Sequence, residues 1–563
     1  MSLKPFWIKH KFWLTSHSMS ISPPSDGSRV IAGLNSQHNG QGHSLRDHLC
    51  FLVPILVTYL ALSFFKIGSQ SLWVDEVLSL KYLQGGPSDQ ALDVWQGGNS
   101  RPLYFTILQL WGTLGTNEAV LRSLSVVIGS LAVFLTYLVG LRFFNQKVAS
   151  IGTVLFATSP FLIWYSQEVR YITMMTATAL LAMYAFHRAL SENRLWWWVS
   201  YALSLILAIG SFAVNILVII CHGAFLMSSP TRRPRLRNVL VCQAVVLALV
   251  AWWANDWHMR ELGGHWKRVY HEVTLSREEL SSVPRSGRLA SGGKRQFDLA
   301  AVPYTFFALS TGFSVGPSVR ELQIERSASA LRPYAFLLAS VGVLFGGLFF
   351  AGLVALWRDG GRGWFFTLWV AVPLVGVCAI SAMTAMAYNV RYVAMVLPAY
   401  SLILAAGIGR LSNGWAQIVV LSAVLLVNGI SLGNYYFNPR YAREDARAAA
   451  EHLESVARPD DRILVVGNAT ALRHYYIGKV AIEGWSGVDQ DGQVSTEDGV
   501  VQPNGICGRV WLVEIRPWER DAKGMAKATL GEVHELIGSE KFPGVDIYAY
   551  RKKSPLACAA FAS

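Results

Sequence analysis

Residues 50–79 read CFLVPILVTYLALSFFKIGSQSLWVDEVLS. The run from Cys50 to Phe65 carries no charge and ends at Lys66. It is about long enough to cross a hydrocarbon core, which needs roughly 20 apolar residues in helical form. A short way past it, Asp75 and Glu76 stand side by side among apolar residues. Carboxylates next to a membrane are either solvated loop acids or placed for chemistry. The side they face, and what else faces it, separates the two.

The pattern of that first run recurs. Apolar segments at 50–66, 120–141, 148–165, 170–187, 196–212, 213–229, 238–255, 334–357, 364–382, 391–409 and 415–433 predict about eleven transmembrane helices. The weakest division is near Ser211 and Asn215, where two segments follow with almost no loop. Of the 563 residues 52% are hydrophobic and 15% charged, against about 25% charged in a soluble domain. The formal net charge of +13 is spread largely over short loops between the runs. That distribution argues for a lipid bilayer and against a nucleic-acid partner.

The loops also give an orientation. With the N-terminus inside, the inward loops hold Arg142 and Lys147; Arg188 and Arg194; Arg232, Arg233, Arg235 and Arg237; Arg358 and Arg362; and Arg410. All are short and basic, as cytoplasmic loops are. Residues 1–48 are polar, lack the order of a signal peptide, and read as a disordered cytoplasmic arm. Residues 49–433 form the transmembrane domain, and an odd number of spans leaves 434–563 outside. In that last part REDARAAAEHLESVA has helical periodicity, and RILVVG, RVWLVEI and DIYAYR are strand-like, so it reads as a small α/β domain. RPLYFTILQLWGTLG (101–115) and AVPYTFFALSTGFSVGPSVREL (301–322) read as interfacial helices in the outer loops. SREELSSVPRSGRLASGGKRQ (276–296) reads as a mobile stretch. His258 and His265 fit an aromatic belt, and His222 a packed interior position. The cysteines show no metal-ligand spacing, and a Cys507–Cys558 disulfide stays open.

On this topology the unusual polar residues share the outer boundary. Asp75 and Glu76 follow the first span, Arg101 and Tyr104 open an outer helix, and Arg122 opens the second span. Tyr165, Gln167, Glu168, Arg170 and Tyr171 lie in WYSQEVRY, and Arg391 and Tyr392 in AYNVRYVAMVLP. Arginines at headgroup depth suit a lipid-linked phosphate, which guanidinium binds bidentately. A carboxylate beside them repels phosphate, so it points to a second task, taking a proton from an incoming nucleophile.

LWVDEVLS, RPLYFTILQLWGTLGTNEAVLRSLSVVIG, YSQEVRY and RYVAMVLPAYSLILAAGI resemble, in order, the motifs of the GT-C superfamily of membrane glycosyltransferases. The resemblance is to the protein-mannosyltransferase-like bacterial branch that includes aminoarabinose transferases (glycosyltransferase family 39). NYYFNPRYAREDARAAAEHL resembles the start of that branch's extracytoplasmic domain. The resemblance implies a GT-C-like fold in a bacterial inner membrane. It also implies inverting transfer from a polyprenyl-phosphate sugar donor to a glycan, lipid or protein acceptor on the outer side. Asp75 would be the base and Glu168 a second acid, with Glu76 beside them. Arg170 and Arg391 would hold the donor phosphate, with Arg101, Tyr104, Arg122, Tyr165, Gln167, Tyr171 and Tyr392 around the substrate. Arg101 stands where the family often has histidine, so it brings a guanidinium in place of an imidazole ring. No cofactor is implied with certainty; a divalent metal is possible in this superfamily.

Two other classes fit less of the chain. A transporter would put its charges near the bilayer midplane in repeated halves; here they gather at one face and no repeat is found. A glycan ligase or polymerase with a lipid-diphosphate donor shares the spans and arginines but does not account for Asp75-Glu76.

Overall fold

The computed structural model describes residues 45–83, 101–228, 235–255, 299–325, 328–358, 361–383, 388–488, 494–496, 499–501, 508–521 and 524–553. The expected N-terminal arm up to residue 44, the 276–296 stretch, His258, His265, Cys507 and Cys558 lie outside them. Residues 45–48, read as the end of that arm, are already helical.

Each apolar run forms helix. In chain order these are α1 (Leu45–Phe64), α2 (Val74–Leu80), α3 (Pro102–Gly112), α4 (Glu118–Phe143), α5 (Gln146–Ala157), α6 (Pro160–Ser166), α7 (Ile172–Glu192), α8 (Leu195–Ser211), α9 (Leu217–Met227) and α10 (Leu236–Asn255). Then follow α11 (Ala301–Thr311), α12 (Val319–Ile324), α13 (Ala335–Val341), α14 (Gly347–Arg358), α15 (Gly361–Met383), α16 (Leu397–Gly409) and α17 (Gly414–Phe437). Among the described residues six helices are long and apolar enough to cross a bilayer, and the bent pair α5–α6 makes a seventh. The chain is a multi-pass membrane protein.

Local chemistry sets the ends. Asn117 and Asn145 accept the Val120 and Val148 N–H groups and cap α4 and α5. Pro160 starts α6 after a 52° bend, because its ring supplies no N–H to continue α5. At Phe212 the backbone is extended, so α8 ends and a new helical segment begins, as the Ser211–Asn215 division implied. The expected single helix over 301–322 is two, α11 and α12, separated at Gly312, whose φ of +69° a side chain would strain. Helices α14 and α16 touch backbone to backbone: a Cβ on Gly352 or Gly407 would run into the carbonyl oxygen of Ile403 or Leu348. His222 is packed as expected, stacked on Phe186 at 3.9 Å with Nδ1 3.0 Å from the Tyr201 hydroxyl.

Beyond α17 the chain builds α18 (Ala446–Val456), β1 (Arg462–Gly467), α19 (Thr470–Tyr475), β2 (Ile482–Val488), β3 (Val494–Thr496), β4 (Gly499–Val501), β5 (Val510–Ile515), α20 (Met525–Val533), β6 (His534–Phe542) and β7 (Val545–Lys552). The seven-stranded sheet runs β4-β3-β2-β1-β5-β7-β6, with β1 parallel to β2 and β5. β1 is apolar on both faces because both are covered. Ile463 and Val465 pack with α18, Leu464 and Val466 with α20. The domain is tied to the bundle at the α4 N-terminus, where Arg447 pairs with Glu118 at 2.6 Å and Tyr475 donates to the same carboxylate at 2.9 Å. Tyr475 also accepts the Leu72 N–H at 2.7 Å, just before the Asp-Glu pair.

Candidate active site

Asp75 and Glu76 open α2 and diverge. Successive helical residues point about 100° apart, so two neighbouring acids enter different surroundings. Glu76 is fully buried. Its Oε1 accepts from Arg122 Nε and the Val169 N–H, both at 2.9 Å, and its Oε2 from Arg122 Nη2 at 2.8 Å. The Trp73 N–H at 3.3 Å closes the first turn onto the same carboxylate. Arg122 further donates to the carbonyls of Ile67, Gln70 and Ser71 at 2.9, 2.8 and 3.1 Å. A guanidinium has five N–H groups, and Arg122 uses all of them on Glu76 and the 67–71 backbone. Arg122, expected around the substrate, has no N–H left over for a phosphate in this arrangement. Glu76, read with the catalytic acids, is the other half of that clamp. Burial would raise its pKa, but Arg122 more than offsets this and holds it below the ordinary range.

Gln167, also expected around the substrate, is engaged in the same way. Its amide donates to the Ser63 and Phe65 carbonyls at 2.8 Å each and accepts from the Tyr435 hydroxyl at 2.9 Å. It ties the end of α1 to the α6–α7 connection.

Asp75 instead faces a cavity. Its Oδ2 lies 2.6 Å from Arg391 Nη1 and 3.3 Å from Arg170 Nη2. Arg170 Nη1 also donates to the Asp75 carbonyl at 3.2 Å. Burial would raise the Asp75 pKa; the Arg170 and Arg391 charges outweigh it and hold it below the usual value. Arg101 is the third guanidinium, 4.5 Å from the Tyr171 ring and within electrostatic reach of Arg170 and Arg391. Tyr171 packs on Phe212 at 4.6 Å and Phe212 on Tyr392 at 5.6 Å, while Tyr104 abuts Tyr171 at 6.4 Å. The tyrosines thus form an aromatic seat for the arginines. Two of these guanidinium groups, those of Arg170 and Arg391, pair with the Asp75 carboxylate. The Nε–H groups of Arg170 and Arg391 are buried with no protein partner, which leaves directed donors for an anion.

Glu168 is the second acid at the cavity wall. Its Oε1 accepts from Trp164 Nε1 at 2.9 Å and Arg443 Nη2 at 3.0 Å, while Oε2 is buried and unpartnered. Burial raises its pKa, against the opposing pull of Arg443. Arg443 was missed in the sequence. Buried at the start of the C-terminal domain, it donates to the Gln167 carbonyl at 3.1 Å and stands 3.7 Å from Glu76. One arginine just past a span looks like any helix-end arginine, and only the folded chain shows it between two acids.

The cavity measures about 1820 Å³. Asp75, Glu168, Tyr165 and Arg391 line it on one side. Phe306, Phe307, Phe313, Phe345 and Phe349 form an apolar wall, and Arg516 and Trp518 reach it from the C-terminal domain. Arg101, Tyr104, Arg170, Tyr171 and Tyr392 do not themselves line the cavity; Arg170 reaches it through Asp75. Among the described residues no group of three His, Cys, Asp or Glu side chains could hold a metal ion.

Fold and site together define a multi-pass membrane protein with an acid–arginine site between its helices and an α/β domain. Residues 99–255 match the family model described as dolichyl-phosphate-mannose-protein mannosyltransferase. The match covers the segment holding RPLYFTILQLWG and YSQEVRY, and agrees with the GT-C resemblance those motifs carry. No curated protein matches the chain. Solved structures similar to it include ArnT from Cupriavidus metallidurans in the apo state, with 11% identity, 90% of this chain and 98% of that one covered, and a TM-score of 0.49. The archaeal oligosaccharyltransferase AglB from Archaeoglobus fulgidus, in complex with an inhibitory peptide and a dolichol-phosphate, aligns at 12% identity over 89% of this chain and 74% of that one, with a TM-score of 0.48.

Proposed function

We propose that this chain is a membrane glycosyltransferase that moves a sugar from a polyprenyl-phosphate carrier to an acceptor, with inversion, on the extracytoplasmic side of a bacterial inner membrane. One observation carries the reading. Asp75 stands at the wall of a mostly apolar cavity, held by two arginines that keep unpartnered buried donors.

The aromatic wall suits a polyprenyl tail, and Arg391 and Arg170 suit its phosphate. Phosphate competes with Asp75 for those guanidinium groups, so donor binding loosens the carboxylate as it fills the site. The acceptor O–H or N–H then attacks the anomeric carbon, and its proton passes to Asp75. The carbon–oxygen bond to phosphate breaks, and the polyprenyl phosphate leaves against the arginines. Glu168, its pKa raised by burial, turns an unpartnered Oε2 toward the site, where it can meet a hydroxyl of the donor or acceptor.

Arg391→Ala should weaken binding of a short-chain polyprenyl phosphate about 10- to 100-fold, the range for losing a hydrogen bond to a charged group. Arg391→Lys should recover part of it, since an ammonium cannot reproduce the fork. Unchanged affinity in Arg391→Ala would reduce the residue to a helix-end anchor.

The pH profile follows from the same pair. Asp75 must be ionised to act, and its pKa is depressed, so the acid limb of kcat/KM should lie below the ordinary carboxylate range. In Arg391→Ala the limb should move upward, because a lowering charge is gone. The same depression adds stability above the ordinary carboxylate pKa and loses it as pH falls through the folded value.

Orientation is tested separately. A reporter active only in the cytoplasm, fused after Ser563, should be silent, and strong activity would overturn the topology.

A further inference from the structure

We propose that Arg516, with Trp73, forms an acceptor subsite for a saccharide, so that the C-terminal domain selects the acceptor and the helices hold the donor. This rests on the glycosyl-transfer reading above.

The sheet topology places the site. From β1 the chain winds to β2 on one side and later to β5 on the other, so the carboxyl ends of β1 and β5 form a topological switch point. Open α/β sheets bind ligands in that crevice. Gly467 ends β1 at a φ of +101°, where a Cβ would run into the Ile515 carbonyl oxygen. Arg516 follows β5 at a φ of +54°, a left-handed conformation that strains a non-glycine residue. Its Nε donates to Glu444 at 2.6 Å, and its guanidinium lies 5.4 Å from the Trp73 ring. Trp73 is two residues before Asp75. The Trp73 Nε1–H is buried and unpartnered on the cavity wall.

Size and chemistry identify the occupant. A single small-molecule site takes roughly 300–1,000 Å³; at about 1820 Å³ this cavity has room for a donor headgroup and a second ligand. The crevice brings the indoles of Trp73 and Trp518, with the Arg516 and Arg320 guanidinium groups over their rings at 5.4 and 6.0 Å, beside the Arg516–Glu444 pair. A sugar ring presents C–H faces and a rim of hydroxyls that both donate and accept. Indole covers the first, and the adjacent guanidinium and carboxylate meet the second. The Arg320–Asp546 and Arg440–Glu321 cations at the same opening are paired at 3.3 and 2.7 Å, so the opening is no strong anion trap.

The test uses the full chain in nanodiscs and a panel of di- to tetrasaccharides of hexoses and N-acetylhexosamines, read by saturation-transfer NMR. Arg516→Gly removes the guanidinium and relieves the left-handed backbone; Arg516→Lys keeps the charge. At least one saccharide should bind the wild type, with affinity falling about tenfold or more in Arg516→Gly and partly recovering in Arg516→Lys. Binding of a short-chain polyprenyl phosphate should be the same in all three. No saccharide binding by the wild type, or equal binding in Arg516→Gly, overturns the subsite. So does a short-peptide panel that binds in the saccharides' place. Failure of the wild type to bind polyprenyl phosphate overturns the donor reading instead.

Discussion

Asp75→Asn is expected to lower kcat for sugar transfer about 10²- to 10⁴-fold, or roughly 3–5 kcal/mol of barrier, while the protein folds and binds polyprenyl phosphate. Asparagine keeps the size of the side chain and can accept a hydrogen bond from Arg391, but cannot take a proton. Donor affinity should hold or rise as the competing charge is removed; what separates base from anchor is the loss in kcat. Near-normal turnover in Asp75→Asn would leave the carboxylate as a counter-ion for Arg391 and Arg170 and end its role as base.

Glu76→Gln and Arg122→Met should fail in a different way. Each removes one partner of a fully buried pair, which costs about 3–5 kcal/mol because a buried charge is left unpaired. Both should lose yield and thermal stability in detergent rather than show a clean kinetic defect. Replacing both residues with apolar ones should not restore stability. The carbonyls of Ile67, Gln70 and Ser71 would still lose their donor, at about 1–3 kcal/mol for each left unsatisfied. A stable, poorly active Glu76→Gln enzyme would return Glu76 to the catalytic group.

These two expectations show what the sequence could express. Apolar run length depends on local composition, so the helical segments were legible, as was the strand-like RILVVG at the centre of the sheet. The convergence of Asp75, Glu168, Arg170 and Arg391 was also legible, since each sits at a span end that charge placed on one face. The division of labour within the cluster was not. Asp75 and Glu76 differ only by one helical step, and their fates depend on what waits across the bundle. Arg122 and Arg391 are both arginines at span ends; one meets backbone carbonyls and the other a cavity. Arg443 and Arg516 act through partners far away in sequence, and a left-handed arginine after a strand leaves no periodic trace.

The most direct test reconstitutes the purified full chain in liposomes with one radiolabelled sugar on three carriers: polyprenyl monophosphate, polyprenyl diphosphate and a nucleotide. With membrane glycans and proteins as acceptors, product should form from the monophosphate alone, with the anomeric configuration inverted, and Asp75→Asn should make almost none. Transfer from the diphosphate or nucleotide with none from the monophosphate, or retention of configuration, would overturn the assignment of donor and base.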